Sequence, residues 1–375
     1  PQRMPAGLRN LGNTCYMNSV VQSLKTVPVL SERLATFAPS NPATQQLTTC
    51  MKATFADLKQ KASIVDGEAT TTPLLLLQSL HDNFPQFASR APQGHLQQQD
   101  ANECFTEMQR VLLKALDETN PAGLTKPSEF FRMKLSNTLK NKEVESEAPI
   151  HSEDELYQLS CFLSQDVKYI QTGIKEKLTE EIEKNSEAAG RSCKYEKKAQ
   201  VSRLPAFLSI QMVRFFFKQQ AAVNAKILKD VKFPLTLDLF DICTPALQER
   251  LSQNRGVFKE MEDAKIERMR AAKIEGRDPK EAETSEVEKP ENALPFSFAD
   301  DEGSNNSGFY DLQAVITHKG RSSDSGHYVA WVRLKGDEWA MCDDDEVHPV
   351  NSEQILKLSG GGDWHCAYVL VYGPR

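Results

Sequence analysis

Met17, Val20, Val21 and Leu24 fall at i, i+3, i+4 and i+7, which predicts a helix with one apolar face from about residue 15. Asn13 and Thr14 stand where an N-cap belongs, so Cys15 falls in the first turn. A second helix is predicted in "TTPLLLLQSLHDNF", with Pro73 near its start. A third is predicted in "QQDANECFTEMQRVLLKALDE", residues 98–118. There Phe105, Met108, Leu112 and Leu116 keep helical spacing, and Asp100 and Glu103 are assigned to the first turn.

The period changes after residue 127. "EFFRMKLSNTLKN", "YQLSCFLSQDVKYI" and "RLPAFLSIQMVRFFFK" carry the β-branched and aromatic alternation of strands. Between them, "KEVESEAPIHSEDE" reads as a solvated loop and "KEKLTEEIEKNSEAAG" as a short charged helix. Residues 244–307 turn to Glu, Lys, Arg, Ala, Asn and Ser. Thr244-Pro245 predicts a helix start, with Gly276 as its stop. Beyond it, "RDPKEAETSEVEKPENA" has too little apolar content to order itself. From 308 on, "YDLQAVITHKG", "GHYVAWVRL", "EWAMCDD" and "HCAYVLVYGP" read as strands, with a hairpin turn at "KGDE". The expected fold class is α+β. One domain spans 1–375, with a helical part over about 7–125, strands over about 127–220, a charged inserted arm at 244–307 and a sheet at 308–375.

Composition narrows the function classes. With 375 residues, 39% hydrophobic and 26% charged, the chain has a globular make-up and room for a sizeable core. A net charge of −7 argues against nucleic acid as a partner and suits one with a basic surface or tail. No apolar run approaches the ~18 residues of a membrane span. The N-terminus shows no secretory pattern, and its start at "PQRMPAGL" without Met reads as that of a fragment. Eight cysteines include no Cys-x-x-Cys pair, so a local zinc knuckle is not expected. The chain reads as reduced and intracellular.

The candidate chemistry starts at Cys15 in "GLRNLGNTCYMNS". At a helix start, the unpaired N–H groups and the dipole favour a thiolate, a nucleophile in want of a base. Of seven histidines, His327 in "SDSGHYVAWV" stands at the start of a strand. Sixteen residues on, "WAMCDDDEV" puts Asp343 at the end of the next strand of the same hairpin. Adjacent antiparallel strands bring such a pair side by side, so that the carboxylate holds one imidazole nitrogen and the other faces the nucleophile. Each piece has a plainer reading: a core cysteine, ordinary strand sequence, a solvated acidic turn. Spacing alone leaves the choice open.

The motifs taken together decide more. "GLRNLGNTCYMNS" resembles the cysteine box of the ubiquitin-specific proteases, and "SGHYVAWV" with "EWAMCDDDEV" resembles their histidine box. "QQQDANECF", "RLPAFLSIQMVRF", "VKFPLTLDL" and "YDLQAVITHKG" match the family pattern in the family's order. The resemblance implies a papain-like fold of helical thumb, β-rich palm and fingers. It implies a thiol protease that cleaves after the last glycine of ubiquitin through a thioester. Cys15 matches the nucleophile, His327 the base and Asp343 the residue that orients it. Asn10 matches the amide of the oxyanion hole, and Asp344 ranks below Asp343.

Ubiquitin ends in Arg-Leu-Arg-Gly-Gly. Asp100 and Glu103, three apart, match positions that resemble a clamp for its arginines, though helix-start acids are favoured by the dipole alone. Gly326 and Tyr328 flank the base and are expected to line the channel. Many family members carry two Cys-x-x-Cys pairs in the fingers. Here Cys161 and Cys193 stand alone, so no metal and no cofactor are expected, and Cys342 is given a packing role. "VNAKILKDVKFPLTLDL", "PFSFADDEGSNN" and "LSGGGDWHCAYVLVYGPR" resemble a proteasome-associated branch of the family. That likeness implies the 26S proteasome regulatory particle as a partner beside ubiquitin, through an N-terminal ubiquitin-like domain outside this chain. It also implies a cytoplasmic place, with the nucleus open, and no nucleic acid or membrane. An idle ubiquitin-binding module and a general papain-like peptidase are the rival readings. "GRSSDSG", 320–326, and "FFFKQQAAVNAK", 215–226, are expected to cover the channel in the free enzyme.

Overall fold

The computed structural model describes residues 4–62, 69–278, 294–323 and 325–375. The N-terminal part is built of β1 (Gly7–Leu8), α1 (Cys15–Lys25), α2 (Pro28–Ala35), α3 (Gln46–Lys61), β2 (Thr70–Thr71), α4 (Leu74–Asn83) and α5 (Ala101–Glu118). β1 and β2 pair in parallel and anchor the segment that leads to Cys15. The sequence predicts one apolar face for α1, yet ten of its eleven residues are buried. Most of its polar side-chain groups are satisfied inside: Gln22 Nε2 donates to the Ala6 carbonyl at 2.8 Å and Ser23 Oγ to Ser19 at 2.8 Å. Buried amides and hydroxyls bonded in this way carry little desolvation penalty.

Next come β3 (Met133–Asn141), β4 (Ile150–Leu156), β5 (Leu159–Cys161), α6 (Ile170–Leu178), β6 (Thr179–Ser186) and β7 (Arg191–Arg203). β4-β3-β7-β6 form a four-stranded antiparallel sheet. Two expectations fail here. The predicted loop ends in strand β4, and the predicted charged helix is α6 followed by strand β6. Both strands are rich in acidic residues and largely exposed. Side-chain period therefore carries no burial signal, and ladder pairing with β3 and β7 overrides local helix propensity. Cys161 lies in β5, which joins the other sheet, so it does not share a sheet with Cys193 of β7.

The rest is β8 (Leu208–Met212), β9 (Phe215–Lys218), β10 (Val223–Lys226), β11 (Thr236–Asp238), α7 (Pro245–Ile274), β12 (Phe309–Lys319), β13 (His327–Lys335), β14 (Glu338–Asp343), β15 (Glu346–Asn351), α8 (Ser352–Leu356) and β16 (Cys366–Pro374). Among the described residues these make an eight-stranded sheet in the order β15-β14-β13-β12-β16-β8-β5, with β11 on β12. α1 packs on β13, so the cysteine and the histidine meet at the seam between helices and sheet. One core lies between helices and sheet, and a second lies on the far side of the sheet.

α7 starts where Thr244-Pro245 predicts, with Thr244 Oγ1 accepting from Leu247 N–H at 3.3 Å. The charged arm is narrower than 244–307. Ser304–Ser307 are buried, and Asp301 holds the buried Arg203 at 2.8 Å. Residues 279–293, most of the stretch expected not to order itself, lie outside the described residues.

Candidate active site

Cys15 opens α1 and is buried. Thr14 is the N-cap but does not cap with its side chain; its Oγ1 accepts from Leu11 N–H at 2.9 Å. Asn10 Oδ1 accepts from Gly12 N–H at 2.8 Å, closing the loop on itself. Gly12 at φ +103° and Asn13 at φ 49° take left-handed conformations, which suits a glycine and an asparagine. The two residue types that flank the cysteine are thus the ones its loop requires.

His327 begins β13 and Asp343 ends β14. His327 Nε2 and Asp343 Oδ1 are 2.5 Å apart. That leaves Nδ1 for the thiol, and the ring also hydrogen-bonds to Cys15. The Asp343 bond, then the Cys15 bond, raise His327 from 6.5 to about 10. The His327 bond holds the Asp343 carboxyl below its ordinary range. Two further donors reach the sulfur: Gln98 Nε2 at 3.0 Å and the Tyr328 backbone N–H at 3.5 Å. Such a constellation suits acyl transfer: a nucleophile, a base and an orienting carboxylate in contact.

Asp344 turns away from this line. It sits at φ 51°, and its carboxylate accepts from Asn10 Nδ2 at 3.1 Å and Asn18 Nδ2 at 2.9 Å. Its carbonyl accepts from Leu8 N–H at 2.8 Å. Burial raises its carboxyl above the usual value. Asn10, matched by sequence to the oxyanion hole, therefore has one amide hydrogen on Asp344 and one left to offer.

Gly326, at φ +94°, has no room for a Cβ: one would meet the Lys319 carbonyl and the His318 ring. Its own carbonyl accepts from Gln98 Nε2 at 3.1 Å. Tyr328 offers the sulfur its backbone; its buried ring packs against His318 and Tyr368, with centroids 4.8 and 6.1 Å away. Asp100 is not in the first turn of α5. It is the N-cap, accepting from Asn102 and Glu103 N–H at 2.7 and 3.1 Å, and both its oxygens also accept from the Tyr368 hydroxyl. Glu103 is exposed at N3. Both acids edge a cavity of about 330 Å³ that Gln98, Phe215–Phe217, Asn224 and Ser323 also line.

Sequence reasoning passed over Gln98, Asn18 and Tyr368. Gln98 stands in the quoted "QQQD" run, where only the acids were chosen. Asn18 reads as the polar face of a helix, and Tyr368 as one more aromatic in a strand.

A sequence profile described as ubiquitin carboxyl-terminal hydrolase matches residues 6–372. The chain belongs to this family. As a ubiquitin carboxyl-terminal hydrolase it is a cysteine-type deubiquitinase. Ubiquitin carboxyl-terminal hydrolase 14 of Caenorhabditis elegans is 41% identical over 99% of this chain and 73% of its own length. Ubiquitin carboxyl-terminal hydrolase 6 of Schizosaccharomyces pombe is 38% identical over 99% of this chain and 78% of its own. The fold is similar to that in the SAGA Ubp8/Sgf11/Sus1/Sgf73 DUB module bound to ubiquitin aldehyde. The TM-score is 0.65 at 16% identity, over 99% of this hydrolase and 69% of that chain. The α+β class of the deubiquitinase agrees with that expected from its sequence.

Proposed function

We propose that Cys15 is the nucleophile of this deubiquitinase, His327 its acid and base, and Asp343 the residue that orients the imidazole. The observation that carries this reading is the imidazole itself, held on Nε2 by Asp343 at 2.5 Å and hydrogen-bonded to the thiol. The Cys15 sulfur bonds to the carbonyl carbon of ubiquitin's last glycine, and the π pair moves to oxygen. The C–N bond breaks, and the imidazolium proton goes to the leaving lysine amine. Water, deprotonated by the same imidazole, then releases ubiquitin from the thioester. The second amide hydrogen of Asn10 serves the oxyanion, a donor worth ~2.7–4 kcal/mol in comparable sites.

The groove edged by Gln99, Asp100 and Glu103 takes the ubiquitin tail. Glu103 is the exposed carboxylate for an arginine, while Asp100 keeps the groove's shape through α5 and Tyr368. Gly326 lines the narrow part. The hairpin β9–β10 lies over the groove, with Phe216 and Phe217 exposed at its edge, and Ser323 faces it from the loop before His327. This supports an enzyme that opens when a partner or ubiquitin moves these loops. The partner is the 26S proteasome regulatory particle and the setting the cytoplasm. Support for both is the likeness of residues 223–239, 295–306 and 358–375 to the proteasome-associated branch of the family.

The test is intact mass after mixing the chain with ubiquitin bearing a C-terminal electrophile, beside Cys15→Ala. An adduct on the native chain alone supports the reading. An adduct on both chains, or on neither with proteasome present, overturns it.

A further inference from the structure

Two donors meet the Cys15 sulfur beside the His327 ring: the Gln98 amide at 3.0 Å and the Tyr328 N–H at 3.5 Å. The direction of the Gln98 amide is fixed by its second contact. Nε2 is 3.1 Å from the Gly326 carbonyl oxygen, and an amide oxygen could not face that carbonyl, so the NH2 end touches the sulfur. The other end is telling. Gln98 Oε1 is buried with no hydrogen-bond partner among the described residues. An orphaned buried carbonyl is costly. The side chain is therefore held in place by its two N–H bonds, and a neutral thiol is too poor an acceptor for that task. A thiolate is a strong one.

We infer that Gln98 is a further catalytic residue, whose amide donates one N–H to the Cys15 sulfur to hold it as a thiolate and the other to Gly326 to keep the residue before His327 in register. The inference rests on the reading of Cys15 as the nucleophile. Gln98 belongs to the segment before α5, while Gly326 and His327 belong to the sheet. One side chain thus clamps the helical part to the sheet across the reacting atom. The ionisable groups that feel the Cys15 sulfur include His327 on β13 and Tyr16 on α1, and neither lies on the Gln98 segment. Removing the amide therefore deletes a donor and leaves the charges in place.

The experiment follows carbamidomethylation of Cys15 by iodoacetamide from pH 5 to 9, read by peptide mass, in the native chain, Gln98→Ala and Gln98→Glu. The thiolate displaces iodide, so the rate reports the thiolate. Losing a hydrogen bond to a charged acceptor should slow alkylation at neutral pH by about ten- to a hundredfold and move the midpoint of the profile upward. Gln98→Glu, nearly isosteric, should fall further than Gln98→Ala, because it both removes the donor and sets a negative charge beside the sulfur. With a ubiquitin–lysine amide substrate, kcat should fall more than KM changes. An unchanged profile in both variants, or faster alkylation, would mean that Gln98 only covers the sulfur and would overturn the inference. A native chain in which Cys15 itself fails to react sinks the nucleophile reading, and this one with it.

Discussion

Asp343 and Asp344 are consecutive, and one polar side-chain atom of each lies within 4.8 Å of the other and of a His327 ring nitrogen, yet their carboxylates hold different partners. Asp343 holds His327 at the end of β14, while Asp344, in a left-handed turn, holds Asn10 and Asn18. One backbone reversal thus ties His327 and the loop that leads to Cys15 to the same point. The two residues should fail differently. Asp343→Asn should lower kcat by about 10³–10⁴ with little change in melting temperature, because a lost orienting carboxylate spoils the tautomer and not the fold. Asp344→Ala should cost about 1–3 kcal/mol of stability, because Asn10 and Asn18 each lose a hydrogen bond to a charged acceptor, and Asn18 Nδ2 keeps only the Leu8 and Arg9 carbonyls at 3.2 and 3.3 Å. It should also lower kcat. Kinetics beside thermal melts of the two variants check this.

The pH dependence of activity follows from His327. Its value rises from 6.5 to about 10 on folding, first through Asp343 and next through Cys15. The imidazolium's contribution to stability is therefore complete below 6.5 and is lost as pH climbs through about 10. Turnover should hold into the alkaline range and fall through about pH 10, when the proton for the leaving amine is gone. Asp343→Asn removes the leading cause and should bring that fall to lower pH. A pH–rate profile of both proteins measures it.

His318 gives the opposite sign. It is fully buried, and burial lowers it to about 4. Its ring faces Phe215, Tyr328, the Ser325 carbonyl, the Lys226 ammonium and the rings of His365 and His327. The unfolded chain takes up a proton near 6.5 that the folded chain refuses until about 4. Stability should therefore decline by about 3 kcal/mol across that window and level off below it. Because His318 Nε2 contacts Ser325 at 2.9 Å, the loop before His327 should loosen first. Hydrogen exchange of residues 320–326 at pH 4.5 and 7 tests this, with His318→Gln expected to flatten the difference.

Phe216 and Phe217 lie on the hairpin that lines the cavity edged by Asp100 and Glu103, without deep burial, so the hairpin is held weakly. Replacing both with Ser should raise the rate of the free enzyme toward ubiquitin electrophiles and shrink any gain from added proteasome. Glu103→Lys in the same background should raise KM about tenfold or more, by turning a carboxylate that meets an arginine into a repelling charge. Steady-state kinetics of the three proteins decide it.

The sequence was most informative where a single local rule acts. Thr244-Pro245 starts α7, "KGDE" closes the β13–β14 hairpin, and Cys15 opens α1. The contact of His327 with Asp343 was legible because a hairpin register converts a spacing of sixteen residues into contact. β4 and β6 were not, because strands exposed on both faces show no period. The roles of Asp100, Asn18 and Gln98 were hidden for another reason. Each depends on a partner distant in the chain, Tyr368, Asp344 or Gly326, and such pairings leave no local trace.

β16 lies between β12 and β8 in the middle of the palm sheet, yet it is formed by residues 366–374. A chain in which residues 366–374 have not paired lacks the central rib of the sheet from which His327 projects. Strands β8 and β5 reach the strands that carry His327 and Asp343 only through it. Pairing across so long a separation is slow. Loss of this one strand would therefore part the sheet into two pieces.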